Sequence, residues 1–176
     1  MSKVFGLLLT VLFASLGAAT SYLLWHAAGW YVIVQIFITL AIGGLGEHYV
    51  SGQGYYHYTN VNGVFVGRVP TWIPFMWVFV VQGTLIAAIL LGLKGFSAVT
   101  GSGILGLVLD SVFLEPYLSK TKGLWQWRHV ESGYFHFVPP NLNKFYAPIG
   151  NYMVWLFFPI VMNWLLGGLL FILSYL

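Results

Sequence analysis

The sequence predicts an all-α fold, a polytopic helical bundle embedded in a membrane. Of its 176 residues, 59% are hydrophobic and 6% are charged, and the mean hydropathy is +0.84. Soluble domains carry about 25% charged residues, so this chain has too few charges to cover a surface that faces water. Apolar stretches of about 20 residues, the length that crosses a hydrocarbon core of about 30 Å, recur along it. We therefore expect a single domain, residues 1–176, with about five spans.

The first two predicted spans cover residues 4–25 and 30–47. The short connection between them requires an antiparallel pair. Lys3, the apolar core and the small residues after it also resemble a secretory signal, but we predict a retained helix. The second span ends in small residues that allow close helix approach: Gly43, Gly44 and Gly46. Residues 48–71 are polar, aromatic and glycine-rich. Unpaired backbone cannot face lipid, so they predict a structured interfacial loop.

The remaining spans are predicted over residues 72–93, 97–115 and 151–175. Pro116 lacks a backbone N–H, which predicts that the fourth helix ends or kinks near Glu115. Residues 116–150 then form the second long loop. A proline inside the fifth span, Pro159, predicts a kink there.

The basic residues predict the orientation. With the N-terminus inside, six of the seven lysines and arginines lie on the inner side: Lys3, Arg68, Lys120, Lys122, Arg128 and Lys144. Only Lys94 lies outside. This bias follows the positive-inside rule. Membrane orientation therefore explains the net charge of +3, and we predict no nucleic acid partner. Solvated inner loops explain these charges, and contact with anionic membrane lipids would explain them equally well.

Carboxyl groups next to apolar spans are the strongest candidates for a functional site. The chain has four acidic residues, and Glu47 and Asp110 each follow a long apolar run. Either they belong to a functional pocket or they form structural ion pairs with Arg68 or Arg128. Five positions separate Asp110 from Glu115, about 140° on an α-helix, so these two do not form an adjacent pair. We expect Asp110 to face Glu47 across the bundle and Glu115 to anchor the inner loop.

Histidines and aromatic residues collect at the same predicted membrane face. His57 is one of four histidines there, and a solvated histidine is the ordinary interpretation. The tryptophans and tyrosines are equally typical of an aromatic belt at the membrane surface. Alternatively, Trp125 and Trp127 line a cleft for a flat conjugated or isoprenoid ligand and stabilise a carbocation through their ring faces.

Several other chemistries lack their motifs. There is no cysteine, no Gly-x-Ser-x-Gly elbow and no phosphate-binding glycine-rich loop. Histidine and acidic residues do not occur at metal-binding spacing such as His-Glu-x-x-His. We therefore predict no metal and no cofactor.

The order of motifs resembles the carotenoid biosynthesis protein family typified by the CruF carotenoid hydratases. Over about residues 40–160, the matching motifs are Glu47, then Gly54-Tyr55-Tyr56-His57-Tyr58-Thr59, Val69-Pro70, Pro74-Phe75-Met76-Trp77, Asp110 with Glu115-Pro116, Trp125-Gln126-Trp127, Tyr134 through Val138-Pro139, and Asn151-Tyr152-Met153-Val154-Trp155. Family members are longer, and here residues 140–150 separate two of the motifs.

The resemblance implies hydration of an isoprenoid or carotenoid alkene. Such a reaction requires an acid to protonate the alkene, a base to activate water and a shield for the cation. We expect Asp110 or Glu47 to be the acid and Glu115 or His57 to be the base. The residues expected to contact the substrate are Tyr56, Tyr58, Trp77, Trp125, Trp127, Asn151 and Trp155.

A second class of function fits the same sequence. A short chain with glycine-rich helices could be a non-catalytic accessory subunit that holds lipid or pigment within a larger membrane complex. The expected partners are membrane lipids, a hydrophobic isoprenoid or carotenoid ligand and, for an accessory subunit, other membrane subunits. The expected location is an archaeal or bacterial plasma membrane.

Overall fold

The computed structural model describes residues 2–128 and 147–173 and confirms the all-α bundle. Within the described residues, five helices are long and apolar enough to cross a membrane. They are α1 (Ser2–Ala28), α2 (Tyr31–Gly52), α3 (Trp72–Leu90), α4 (Gly95–Thr121) and α5 (Ile149–Leu173). The predictions for Tyr134, Val138, Pro139 and Lys144 lie outside the described residues.

Helix α3 lies at the centre of the bundle. It packs against each of the other four helices and is the most buried of the five. It is apolar nearly all round, as expected for a helix with neighbours on several sides. Helices α4 and α5 form a second close pair, in which Gly106 lies against the backbone of Trp155. A side chain larger than hydrogen at Gly106 would push the two helices apart.

Two of the helices contain π-helical turns next to acidic residues. In α2 the π segment is Ile42–Gly46, directly before Glu47. In α4 it is Asp110–Thr121, which includes Pro116. Of the two outcomes predicted near Glu115, a helix end is wrong, because the helix continues to Thr121, and a kink stays a prediction. The wider π turn, hydrogen bonded from residue i+5 to residue i, carries the helix past a proline that has no N–H to donate.

The loops contain short strands, which confirms that the loop after α2 is structured. Strand β1 (Tyr56–Tyr58) pairs antiparallel with β4 (Trp125–Trp127), and β2 (Phe65–Val66) pairs with β3 (Val69–Pro70). The β1–β4 pair joins the loop after α2 to the segment after α4. It therefore closes one end of the bundle with backbone hydrogen bonds.

The start of α1 lies at this same end. Thr10 and Thr71 share a hydrogen bond of 2.8 Å between their hydroxyl oxygens, and Phe5 packs against the hydrophobic core beneath the strands. Lys94, at the start of α4, belongs to the opposite end. This arrangement agrees with the predicted topology, and the side of the membrane on which each end lies stays a prediction.

A chain of buried polar side chains crosses the bundle in its other half. The Gln82 amide oxygen accepts hydrogen bonds from Thr20 and Ser21, and its NH₂ group donates to Gln35. Gln35 in turn donates to Asn163, which donates to Ser102. This Gln82 network links all five helices, and hydrogen bonds of this kind fix helix positions where lipid offers no alternative partner.

Candidate functional site

The β1–β4 pair places aromatic side chains over the helix ends. Alternation along a strand directs Tyr56 and Tyr58 to one face and His57 to the other. Tyr56 is buried and His57 is exposed. Tyr56 lies opposite Trp127, and Tyr58 lies opposite Trp125. Four aromatic rings with polar hydrogens therefore approach the carboxyl groups of α2 and α4.

Glu47 accepts three hydrogen bonds from these and neighbouring rings. Its Oε2 accepts from the Tyr56 hydroxyl and, at 2.8 Å, from the Tyr58 hydroxyl. Its Oε1 accepts from Trp77 Nε1 at 3.1 Å. Burial raises the pKa of both tyrosines well above the usual value, so they keep their protons and remain donors.

A glycine in the π segment allows this contact. A methyl group at Gly43 would lie 3.1 Å from the Trp77 ring, tighter than ordinary van der Waals contact. Gly43 therefore lets α2 approach α3 closely enough for Trp77 to reach Glu47. Of the small residues noted at the end of the second span, Gly43 and Gly44 are the two that lie against α3.

Glu115 accepts hydrogen bonds from the two tryptophans of β4. Trp125 Nε1 lies 3.1 Å from Glu115 Oε1, and Trp127 Nε1 lies 2.9 Å from Oε2. Glu115 is therefore hydrogen bonded to the strand that follows α4, the contact expected of a residue that anchors this loop. Glu115 is also 1% exposed, so it is a buried carboxyl group as well as an anchor.

Asn151 joins Asp110 to Glu115. Its Nδ2 donates to Asp110 Oδ2 at 2.8 Å and to Glu115 Oε1 at 3.3 Å. The other oxygen of Asp110, Oδ1, is buried and has no hydrogen bond partner among the described residues. The expected separation of about 140° holds only for an α-helix. In a π-helix residues five apart lie on nearly the same face, so one amide reaches both carboxyl groups.

Two cavities meet at Glu47. The smaller, about 30 Å³, lies between Glu47 and Glu115 and is bounded by Tyr56, Trp127 and Asn151. The larger, an apolar cleft of about 320 Å³ between α2 and α5, shares Glu47, Tyr56, Trp127 and Asn151 with it. A cavity needs about 10–15 Å³ to hold a water molecule, so the smaller one has room for water.

The partners of the three carboxyl groups are uncharged. In the part of the chain that the structure describes, Glu47, Asp110 and Glu115 are hydrogen bonded by tyrosine, tryptophan and asparagine side chains, not by Arg68 or Arg128. Over residues 2–128 and 147–173, no three His, Asp or Glu side chains are arranged to hold a metal ion. The ion-pair interpretation of the acids therefore has no support among these residues.

The structure brings together most of the residues singled out from the sequence. Among the acids, Asp110 is the one that does not line the small cavity. Glu47 and Glu115 both line it, whereas Asp110 is connected to it through its hydrogen bond with Asn151. Trp155 lies behind the site, with its ring 4.8 Å from that of Trp77. His57 is exposed on the outer face of β1 and lines neither cavity.

The sequence did not predict several residues that line the cleft. Tyr55 and Gly46 line it, as does Val154. Val154 lies one helical turn after Asn151, so helical periodicity could have found it. Tyr55 had no such signal, because the next residue rather than Tyr55 faces Glu47.

Comparisons of the chain with models of known protein families, with curated proteins and with solved structures find no match. The likeness to carotenoid hydratases therefore stays a prediction that depends on the sequence motifs. The geometry around Glu47 and Glu115 has to support any function independently.

Proposed function

We propose that the protein adds water to a terminal alkene of an isoprenoid or carotenoid within the membrane. The observation that carries the proposal is the small cavity between Glu47 and Glu115, which has room for water and adjoins an apolar cleft. Hydration needs an alkene, a water molecule, a proton donor and a proton acceptor, and two carboxyl groups in opposite protonation states can supply the last two. The two cavities provide separate places for the alkene and the water.

Glu47 is the proposed acid because it lines both cavities. Its protonated carboxyl group gives a proton to the less substituted alkene carbon, which forms a C–H bond and leaves a tertiary cation. The faces of Trp77 and Trp127, at the edge of the cleft, stabilise that cation. The three hydrogen bonds to Glu47 then stabilise the carboxylate that the transfer leaves behind.

Glu115 is the proposed base. Water in the small cavity forms a C–O bond to the tertiary carbon as Glu115 accepts one of its protons. The product is a tertiary alcohol, one water heavier than the substrate, and no electrons leave or enter. A further water in the cavity returns the proton from Glu115 to Glu47 and restores the starting state.

Asp110 and Asn151 have a positioning role in this scheme. Asn151 donates to both Asp110 and Glu115, so it holds Glu115 at the edge of the small cavity. Asp110 acts through Asn151 rather than on the substrate. Of the two acids expected from the sequence, Asp110 and Glu47, the proposal therefore keeps Glu47.

Co-expression with a carotenoid pathway tests the reaction. We expect an extracted carotenoid heavier by one water, and we expect E47Q and E115Q each to lower its yield by about 100-fold or more, the contribution typical of a positioned acid or base. H57N is the matched comparison, since His57 is exposed, and it should retain the product. Full activity in both glutamine variants would refute the assignment, and loss of activity in H57N would make His57 the base.

A groove away from the acids favours the second candidate, a non-catalytic accessory subunit. This groove, about 590 Å³ between α1 and α2, is lined mainly by apolar side chains, and its polar groups belong to Ser21, Tyr22 and Trp25. It could hold a lipid or pigment without any chemistry. Purification with bound pigment or partner subunits, and no water-added product, would favour this function. For either function the proposed location is the plasma membrane of an archaeon or bacterium.

A further inference from the structure

We infer that the cleft between α2 and α5 is a lateral entrance through which the uncharged end of a long isoprenoid chain reaches Glu47 from the lipid. The inference rests on the proposed function, because it assigns the substrate class and the approach to the same site. It concerns the cleft of about 320 Å³ and not the groove between α1 and α2.

The rim of the cleft has the character of a lipid-facing surface. Ile42 is 42% exposed and Val154 is 42% exposed, on the two helices that form its sides. Both helices are long and apolar enough to cross a membrane, so their exposed apolar side chains face hydrocarbon. A ligand that enters between them comes from the bilayer and not from water.

The deep end of the cleft is polar, and its carboxyl group has no cationic partner among the described residues. Glu47 and Asn151 lie there, and the hydrogen bond partners of the Glu47 carboxyl group are uncharged among the described residues. A phosphate or carboxylate headgroup at this position would lose its hydration, and no described residue that lines the cleft is a cation that would offset this loss. The described lining therefore favours an uncharged chain end over an anionic head.

The size of the cleft allows only part of a long chain to enter. Its volume, about 320 Å³, is at the lower end of the range of about 300–1,000 Å³ found for sites that enclose drug-sized ligands. One end of the chain fills it, and the rest stays in the lipid between α2 and α5. The site therefore selects a chain end, independent of the length of chain behind it.

Gly46 offers a way to close the entrance without disturbing the fold. Its backbone is helical, with φ −62° and ψ −48°, and the nearest atom to an added Cβ is Ile42 Cγ2 at 3.9 Å. Alanine fits there, whereas phenylalanine would extend into the cleft. Gly167, in α5, has no neighbour within 4 Å of an added Cβ among the described residues, so G167F is a matched control.

Photo-cross-linking tests the entrance without requiring turnover. The probe is an uncharged linear C30 polyisoprene with a diazirine in its terminal isoprene unit, applied to the full chain in vesicles and mapped by mass spectrometry. We expect adducts on residues 42–50 or 148–154, at least 10-fold fewer in G46F, and an unchanged yield in G167F. A second closing variant, V154W, should also lower the yield if G46F fails to fold. A polyisoprenyl phosphate of equal length with the same label should give at least 10-fold fewer adducts in the cleft.

The outcomes separate the entrance from the reaction. Adducts on residues 14–40, in the groove between α1 and α2, or adducts in the cleft that persist in G46F and V154W would overturn the lateral entrance. Equal labelling by the phosphate would overturn the selection for an uncharged end. If cleft adducts form but no hydrated product is found, the entrance stands and the proposed hydration fails. If hydration proceeds at full rate in G46F and V154W, the proposed hydration stands and the lateral entrance fails.

Discussion

The side-chain amide of Asn151 connects Asp110 and Glu115, two carboxyl groups that an α-helix would turn away from each other. The amide nitrogen is 2.8 Å from Asp110 Oδ2 and 3.3 Å from Glu115 Oε1. The π-helical segment that begins at Asp110 makes this shared contact possible. The site thus depends on a helix defect in α4 as much as on the acids themselves.

Removal of Asn151 should weaken both the fold and the proposed reaction. In N151A two buried carboxyl groups lose their common donor, which should lower the free energy of unfolding by about 1–3 kcal/mol. Thermal unfolding in detergent measures this change, and the yield of water-added carotenoid measures activity. Asn60 is exposed in the loop after β1, so N60A should leave both measurements unchanged. Equal unfolding temperatures of N151A and wild type would show that the shared hydrogen bonds add no net stability.

Stability should fall at alkaline pH because of two tyrosines. Burial raises the pKa of Tyr56 and of Tyr58 above that of tyrosine in the unfolded chain, about 10. A group whose pKa is raised by folding contributes its stability fully below the unfolded pKa, and that contribution is lost as the pH rises above it. The unfolding temperature should therefore decrease above about pH 10.

The double variant Y56F/Y58F isolates this contribution. Its unfolding temperature should decrease less above about pH 10 than that of the wild type, because the two ionisable hydroxyls are gone. Tyr49 is 67% exposed, so Y49F should follow the wild type. The explanation fails if the double variant and the wild type lose stability in parallel between about pH 9 and about pH 11.

A cationic mimic of the proposed intermediate should bind tightly. An isoprenoid N,N-dimethylamine carries its positive charge at the position of the tertiary cation, close to Glu47 and the faces of Trp77 and Trp127. Mimics of this kind bind more tightly than substrates, and we expect at least a 10-fold advantage over the uncharged hydrocarbon of equal length. Competition against the diazirine probe measures it. E47Q should reduce the advantage, and equal competition by amine and hydrocarbon would argue against a cation at this position.

The buried Gln82 network should stabilise the bundle independently of the site. Q82L leaves Thr20, Ser21 and Gln35 without a shared partner in the interior. Hydrogen bonds between membrane helices contribute about 0.6 kcal/mol on average and up to about 1.7, so the total loss should be about 1–2 kcal/mol. Detergent unfolding titrations measure it. Gln126 is exposed on β4, and Q126L should be neutral. A stable Q82L would mean that the helices hold their positions by packing alone.

The local sequence pattern was enough to identify the acidic residues of the site but not to predict how they are arranged. Glu47, Asp110 and Glu115 stand out because charged residues next to spans are few, and Asn151 stands out through a motif. Which of them share a cavity depends on the π turns in α2 and α4, and hydropathy carries no signal for those turns. Pro116 predicts a helix end or a kink for the same reason, because proline interrupts an α-helix, whereas the wider π turn accommodates it.

Composition and periodicity by themselves determined the class of fold, because a chain with so few charges can bury its backbone polar groups only in apolar helices. They also determined the order of the spans and predicted that Glu47, Asp110 and Glu115 lie at one end of the bundle. Only the tertiary structure decided that Glu115 rather than Asp110 shares a cavity with Glu47, and that His57 points away. Those outcomes depend on the pairing of β1 with β4 and on the approach of α2 to α5, contacts between residues far apart in the sequence.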